Sequence, residues 1–99
     1  MDEPSREGID ALPGLVVLEF GASWCGYCQS AQPRIAEALA SFPHVRHIKI
    51  EDGPGRRLGR SFRIKLWPTL VILKDGKETG RLVRPASAEE IKQALGTSC

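Results

Sequence analysis

The strongest apolar signal in the chain is Leu15 to Phe20, a short run with β-branched Val16 and Val17 that reads as a buried strand. Ala31, Ile35, Ala38, Leu39 and Phe42 then recur at helical spacing, and Phe42-Pro43 closes that segment. Pro33 lies inside it, removes one backbone donor and predicts a kink near the first turns. Val45 to Ile50 alternates, with Val45, His47 and Lys49 on one side and Arg46, Ile48 and Ile50 on the other, as a strand does. Glu51 to Gly55 reads as a loop and Gly55 to Phe62 as a short helix. A second apolar strand, Thr69 to Leu73, follows Trp67-Pro68. Asp75-Gly76 is a hairpin turn signal, so Lys77 to Arg84 should return antiparallel. Ser87 and Glu90 form a capping box for a closing helix that buries Ile91, Ala94 and Leu95 and stops at Gly96. Gly8 to Pro13 predicts a helical turn before the first strand. The order is strand, helix, strand, helix, hairpin, helix. It predicts a mixed α/β domain with a parallel βαβ unit followed by an antiparallel hairpin.

Ninety-nine residues fit a single domain spanning 1–99, with a modest core and no need of disulfide staples. No apolar run approaches the roughly 18 residues of a membrane span, so no membrane partner is expected. The first residues, Met1 to Glu7, are polar and acidic rather than basic then apolar, which predicts a cytosolic protein, or a periplasmic one if a leader was removed. Charge changes the picture more than its total of +2 implies. Residues 1–53 carry four basic and eight acidic side chains, residues 54–99 ten basic and four acidic. Arg56, Arg57, Arg60, Arg63 and Lys65 hold most of the excess, with no acid among them.

Candidate chemistry centres on Trp24-Cys25-Gly26-Tyr27-Cys28. Two thiols three residues apart share a face where a helix begins, close enough to form a disulfide. Cys25 falls at the strand-to-helix turn, where free backbone N–H groups and the positive end of the helix dipole favour an anion. Its pKa should therefore be depressed, making it the attacking thiolate, while Cys28 lies deeper and resolves. One Cys-x-x-Cys supplies only half of a four-ligand zinc site, so no metal is expected. His44 and His47 are separated from the thiols by a strand and read as solvated or edge residues. Cys99 is terminal and open to adventitious pairing.

Leu-Glu-Phe-Gly-Ala-Ser-Trp-Cys-Gly-Tyr-Cys, then Pro33, then Trp-Pro-Thr-Leu-Val-Ile-Leu-Lys-Asp-Gly-Lys, resembles the thioredoxin family from about Leu15 to Leu95. The resemblance implies a thioredoxin fold, with a central mixed sheet of about four strands flanked by helices. The N-terminal strand of the family looks shortened or missing. It also implies thiol–disulfide exchange on protein disulfides by a monomer. No cofactor is needed in this chain, and a flavoprotein reductase or another dithiol protein would recycle it. Nucleic acid is not an expected partner. Pro68 takes the place of the cis proline facing the dithiol, and Trp24 and Tyr27 flank the site where substrate would touch. An oxidase or isomerase, or a non-catalytic binding module on the same scaffold, are the alternatives. The glutathione pocket of glutaredoxins is replaced by Lys74-Asp75-Gly76-Lys77.

Several positions depart from the family pattern. Glu19 stands where the family has a buried aspartate; desolvation should raise its pKa, and it would exchange the Cys28 proton through a water. Its other reading is a side chain that snorkels to an edge or pairs with Lys49 or Lys65. Gly21 replaces an aromatic residue. Gly26-Tyr27 matches the pair in some periplasmic disulfide isomerases and does not fix the direction of electron flow. Arg84 occupies a position usually held by glycine, and Trp67 a smaller aliphatic position. With the arginine cluster they predict a bulky basic rim that favours acidic partners, against the plainer reading of a solvated helix face.

Overall fold

In the computed structural model residues 3–98 are described; Cys99 lies outside them. The elements are α1 (Arg6–Asp10), β1 (Leu15–Gly21), α2 (Gly26–Ala40), β2 (Arg46–Glu51), α3 (Arg57–Ser61), β3 (Thr69–Lys74), β4 (Lys77–Val83) and α4 (Ala88–Ser98). Four strands form one mixed sheet in the order β2-β1-β3-β4, with β1 parallel to β2 and antiparallel to β3, and β3 antiparallel to β4. None of its helices, among the described residues, is long and apolar enough to cross a membrane.

Strand periodicity sorts the apolar residues of β1 and β3 onto two cores. Leu15, Val17, Leu70 and Ile72 pack with Ala31, Ile35 and Ala38 of α2 and with Ile91 and Leu95 of α4. Val16, Leu18, Phe20, Val71 and Leu73 pack on the opposite face with Ile9, Ile50, Leu58 and Phe62. Both strands are therefore covered on both sides, as their near-continuous apolar runs require. The same alternation turns Glu19 toward α2, one step beyond Val17 at the end of β1 that leads into the dithiol. Glu19 is buried at 5% exposure.

The hairpin forms as its sequence predicts. Asp75 and Gly76 both take positive φ (50° and 83°), and an added Cβ at Gly76 would run into the Asp10 backbone. Helix boundaries differ more. The first helix starts earlier than Gly8, because the Ser5 hydroxyl accepts from the Gly8 N–H and caps Arg6–Asp10. Gly96 does not stop α4, which runs to Ser98; a helical glycine costs about 1 kcal/mol, and the packing of Ile91 and Leu95 outweighs it. Pro33 lies within α2, which continues past it to Ala40. The Ser87 hydroxyl accepts from Glu90 N–H, while Glu90 reaches back to the N–H of Ala86 rather than of Ser87.

Candidate active site

The dithiol sits where β1 hands over to α2. Cys25 is the N-cap of α2, in extended conformation (φ −80°, ψ 117°), and its Sγ accepts the Cys28 N–H at 3.2 Å. That donor, at the positive end of a 15-residue helix, stabilises negative charge on the Cys25 sulfur. Cys25 N–H donates to the Ala22 carbonyl, and the Gln29 amide donates to the Ser23 carbonyl, so loop and helix start are held together. Both cysteines are free and each is only 6% exposed. Burial pushes the Cys28 thiol up to about 11, helped by its hydrogen bond to Cys25 and by the negative charges of Cys25 and Glu19; a bond involving the Ala22 backbone opposes this. At neutral pH, Cys28 keeps its proton.

Behind Cys28, Glu19 belongs to a polar network. Its Oε1 lies 2.7 Å from His47 Nε2, and its Oε2 accepts from Gln32 Nε2 at 2.7 Å. Gln32 also donates to the Cys28 carbonyl at 3.0 Å, and its Oε1 accepts from Lys49 Nζ at 2.8 Å. The expected upward shift of Glu19 is overturned here. Burial does push its carboxyl up, but the hydrogen bonds from His47 and Gln32 and the charges of His47 and Lys49 outweigh it, and the pKa is lowered. Nor does Glu19 pair directly with Lys49 or Lys65: Lys49 reaches it through Gln32, and the His47 ring is its direct partner at 2.7 Å. A cavity of about 290 Å³ opens beside this network, lined by Glu19, Gly21, Cys28, Gln32 and Lys49 among others. Gly21 gives the sulfur its room, since a Cβ there would fall 2.7 Å from Cys28 Sγ.

In front of the sulfurs the surroundings are aromatic and cationic. Trp67 packs on Ala22, Cys25 and Cys28, and the Trp67–Pro68 peptide is cis. Trp24, 73% exposed, meets Trp67 edge to face at 5.5 Å between centroids. Arg84 does hold a glycine-like position: its φ is +50°. Its backbone N–H donates to the Pro68 carbonyl at 2.9 Å and its Nε to the Trp67 carbonyl at 2.8 Å, while its guanidinium stacks 3.9 Å over the exposed Tyr27 ring. The structure thus brings together Trp24, Tyr27, Trp67, Pro68 and Arg84 around Cys25, with Glu19 behind Cys28.

Three residues of the site escape the sequence reading. His47, read as a solvated or edge side chain, lies on the edge strand but is bound to Glu19. The alternation puts His47 and Lys49 on one side of β2, but only the parallel register of β1 on β2, with Glu19 opposite Lys49, sets that side beside Glu19. Gln32 is one helical turn after Cys28, so the spacing alone places it near that thiol. Asp52 accepts the Trp67 Nε1–H at 2.9 Å, and a Cβ on Gly59 would collide with its carboxylate. No local pattern announces that contact.

A family model described as Thioredoxin matches residues 6–97. A tobacco (Nicotiana tabacum) protein, thioredoxin H-type 1, is 37% identical over 94 residues, covering 95% of this chain and 73% of its own length. A Chlamydia trachomatis thioredoxin is 37% identical over 70 residues, 71% of this chain and 69% of the relative. Among solved structures, thioredoxin 2 from Pseudomonas aeruginosa in its reduced form superposes with a TM-score of 0.85 at 54% identity, covering 95% of this chain and 87% of that one. A Cys-x-x-Cys at the head of α2, the sheet that carries it and these likenesses agree: the chain belongs to the thioredoxin family of thiol–disulfide oxidoreductases.

Proposed function

We propose that Cys25 and Cys28 reduce protein disulfides in two steps, with Glu19 taking the proton between them. The observation that supports this most is the unequal pair: both sulfurs are buried, but one receives a helix-terminal N–H while the other holds its proton to about 11. In the first step the Cys25 thiolate attacks one sulfur of a substrate disulfide. A Cys25–substrate disulfide forms, and the other substrate sulfur leaves as a thiolate that takes a proton from solvent. Extended substrate backbone lies along the edge at Trp67 and Pro68, with Trp24, Tyr27 and Arg84 around it.

That attack also changes Cys28. Two of the causes that keep its proton on, the hydrogen bond to Cys25 and the Cys25 charge, end once Cys25 is in a disulfide. Burial and the Glu19 charge remain, and moving the proton to Glu19 removes the latter. Glu19 is ionised beforehand, because its carboxyl is held low. The adjoining cavity admits the water that carries the proton. Cys28 then attacks Cys25 Sγ, expels the second substrate thiolate and closes Cys25–Cys28; two electrons have passed to the substrate. A thioredoxin-reductase-like flavoprotein or another dithiol protein returns them, in a reducing compartment such as the cytoplasm. The domain needs no cofactor and acts as a monomer.

The test is capture followed by a potential. With Cys99 replaced by Ser in both, Cys28→Ser should accumulate mixed disulfides with insulin or lysate proteins, and Cys25→Ser should capture none. A Cys25–Cys28 potential near −270 mV fits a reductase, whereas about −120 to −180 mV would reassign the chain as an oxidase or isomerase. Equal capture by both variants would refute the division of labour.

A further inference from the structure

The cations of residues 56–65 form an unpaired surface beside the dithiol. Among the described residues, no side chain of Arg56, Arg57, Arg60, Arg63 or Lys65 takes part in an ion pair or hydrogen bond. Other cations do find partners, as Arg6 does with Asp10, Arg81 with Glu78 and Lys92 with Glu37 and Glu89. Between Asp52 and Asp75 the sequence contains no acid at all. Three of the five cations, Arg56, Arg60 and Lys65, line one cleft of about 290 Å³, and Trp67 lines it with them. Its single carboxylate, Asp52, is turned to the Trp67 indole.

Trp67 therefore connects two places. It packs on Ala22, Cys25 and Cys28, and it lines the basic cleft. A substrate strand that reacts at Cys25 and continues across Trp67 enters a groove with three cations against one carboxylate, whose Oδ2 is already bonded to the Trp67 indole. We infer that this cleft reads an acidic segment of the substrate protein, with Asp or Glu flanking the reacting cysteine on the side that crosses Trp67. This rests on the reductase reading above and names the substrate class it prefers. The contact is at the rim, so it acts through encounter and orientation and is screened by salt.

The experiment uses two synthetic peptide disulfides identical except for the flank, Asp-Glu-Asp in one and Lys-Lys-Lys in the other. Their kcat/KM with the reduced full chain is measured at about 20 mM and about 500 mM salt. Rates are normalised to neutral hydroxyethyl disulfide, which offers no charge to read. The acidic peptide should be favoured about tenfold at low salt, with most of the preference gone at high salt. Arg56→Glu with Arg60→Glu should invert the preference, and Arg56→Gln with Arg60→Gln should remove it. The salt dependence of the unmutated protein tests the idea even where a variant fails to fold. Equal reduction of both peptides at low salt overturns the preference and leaves the reductase reading standing. Reduction of neither peptide, with hydroxyethyl disulfide still turned over, overturns both. Tight binding of a short DNA duplex that abolishes peptide discrimination would show a nucleic-acid surface instead, and would also overturn it.

Discussion

The two sides of the dithiol are built from opposite materials. In front lie exposed Trp24 and Tyr27, half-buried Trp67 and exposed Arg84, held by one edge-to-face contact, one cation–π stack and bonds to backbone carbonyls. Behind lie Glu19, Gln32, His47 and Lys49, joined by hydrogen bonds of 2.7 to 2.8 Å and bordered by a cavity. Aromatic and guanidinium faces recognise a strand without specifying its sequence. A charged, hydrogen-bonded network beside a cavity suits the proton transfer proposed for Glu19. Trp67 packs on both cysteines, whereas only Cys28 shares the rear cavity with Glu19, so the two sides can be altered separately.

The largest break should come from Glu19→Gln, which keeps the shape of the network and removes its charge. The Cys28 thiol should titrate lower, since one cause of its upward shift is gone. Resolution of a preformed mixed disulfide should nonetheless slow by about 10²-fold at neutral pH, the scale of one lost general base. Attack by Cys25, on the other side, should change less than about twofold. Stopped-flow measurement of the two steps checks this, and an equal loss in both would erase the distinction between the sides.

Trp67→Ala tests the front. It removes the edge-to-face contact with Trp24 and the cover over Cys25, and leaves Asp52 without its donor. KM for a protein disulfide should rise about tenfold, as one lost aromatic contact and hydrogen bond would give. The kcat should stay close to its starting value, because the Glu19 network is not touched. A fall in kcat alone would mean that Trp67 serves the chemistry rather than the partner.

The fold was largely legible because burial leaves a period. The apolar runs of β1 and β3, the alternation in β2 and the Asp75-Gly76 turn each carry their signal locally. The dithiol was legible too, since Cys25 and Cys28 are three residues apart at a strand–helix junction. The pairing of Glu19 with His47 joins residues 28 apart, and the bond from Trp67 to Asp52 spans 15. Contacts made by tertiary packing leave no local trace, and that is why the ionisation of Glu19 was misread. Desolvation can be read from a buried strand; the donors that outweigh it come from α2 and β2.

A smaller effect separates Arg84→Ala from Arg84→Gly. Both lose the stack on Tyr27 and the bond to the Trp67 carbonyl, but alanine keeps a Cβ at a φ of +50°. Glycine should be the more stable of the two by about 1 kcal/mol, the cost of left-handed backbone for a residue with a Cβ. Urea midpoints measure the gap. If alanine equals glycine, Arg84 holds its conformation at no cost.

The last contrast is one of pH, and its signs follow from the two sides. Glu19 binds a proton less readily in the folded chain than in the unfolded one, where its pKa is 4.5. Its contribution to stability is therefore complete above that value and lost as pH falls through the lower folded one. Cys28 does the reverse: folding raises it from 9.0 to about 11, so its contribution is complete below pH 9 and lost as pH rises toward 11. Denaturant titrations of the reduced protein should show an acid edge that Glu19→Gln flattens and an alkaline edge that Cys28→Ser flattens. The oxidised protein, in which neither Cys25 nor Cys28 is a thiol, should keep the first edge and lose the Cys28 part of the second. If oxidation leaves the alkaline edge unchanged, Cys28 is not held protonated by the fold, and the asymmetry between the two sulfurs has to come from the front alone.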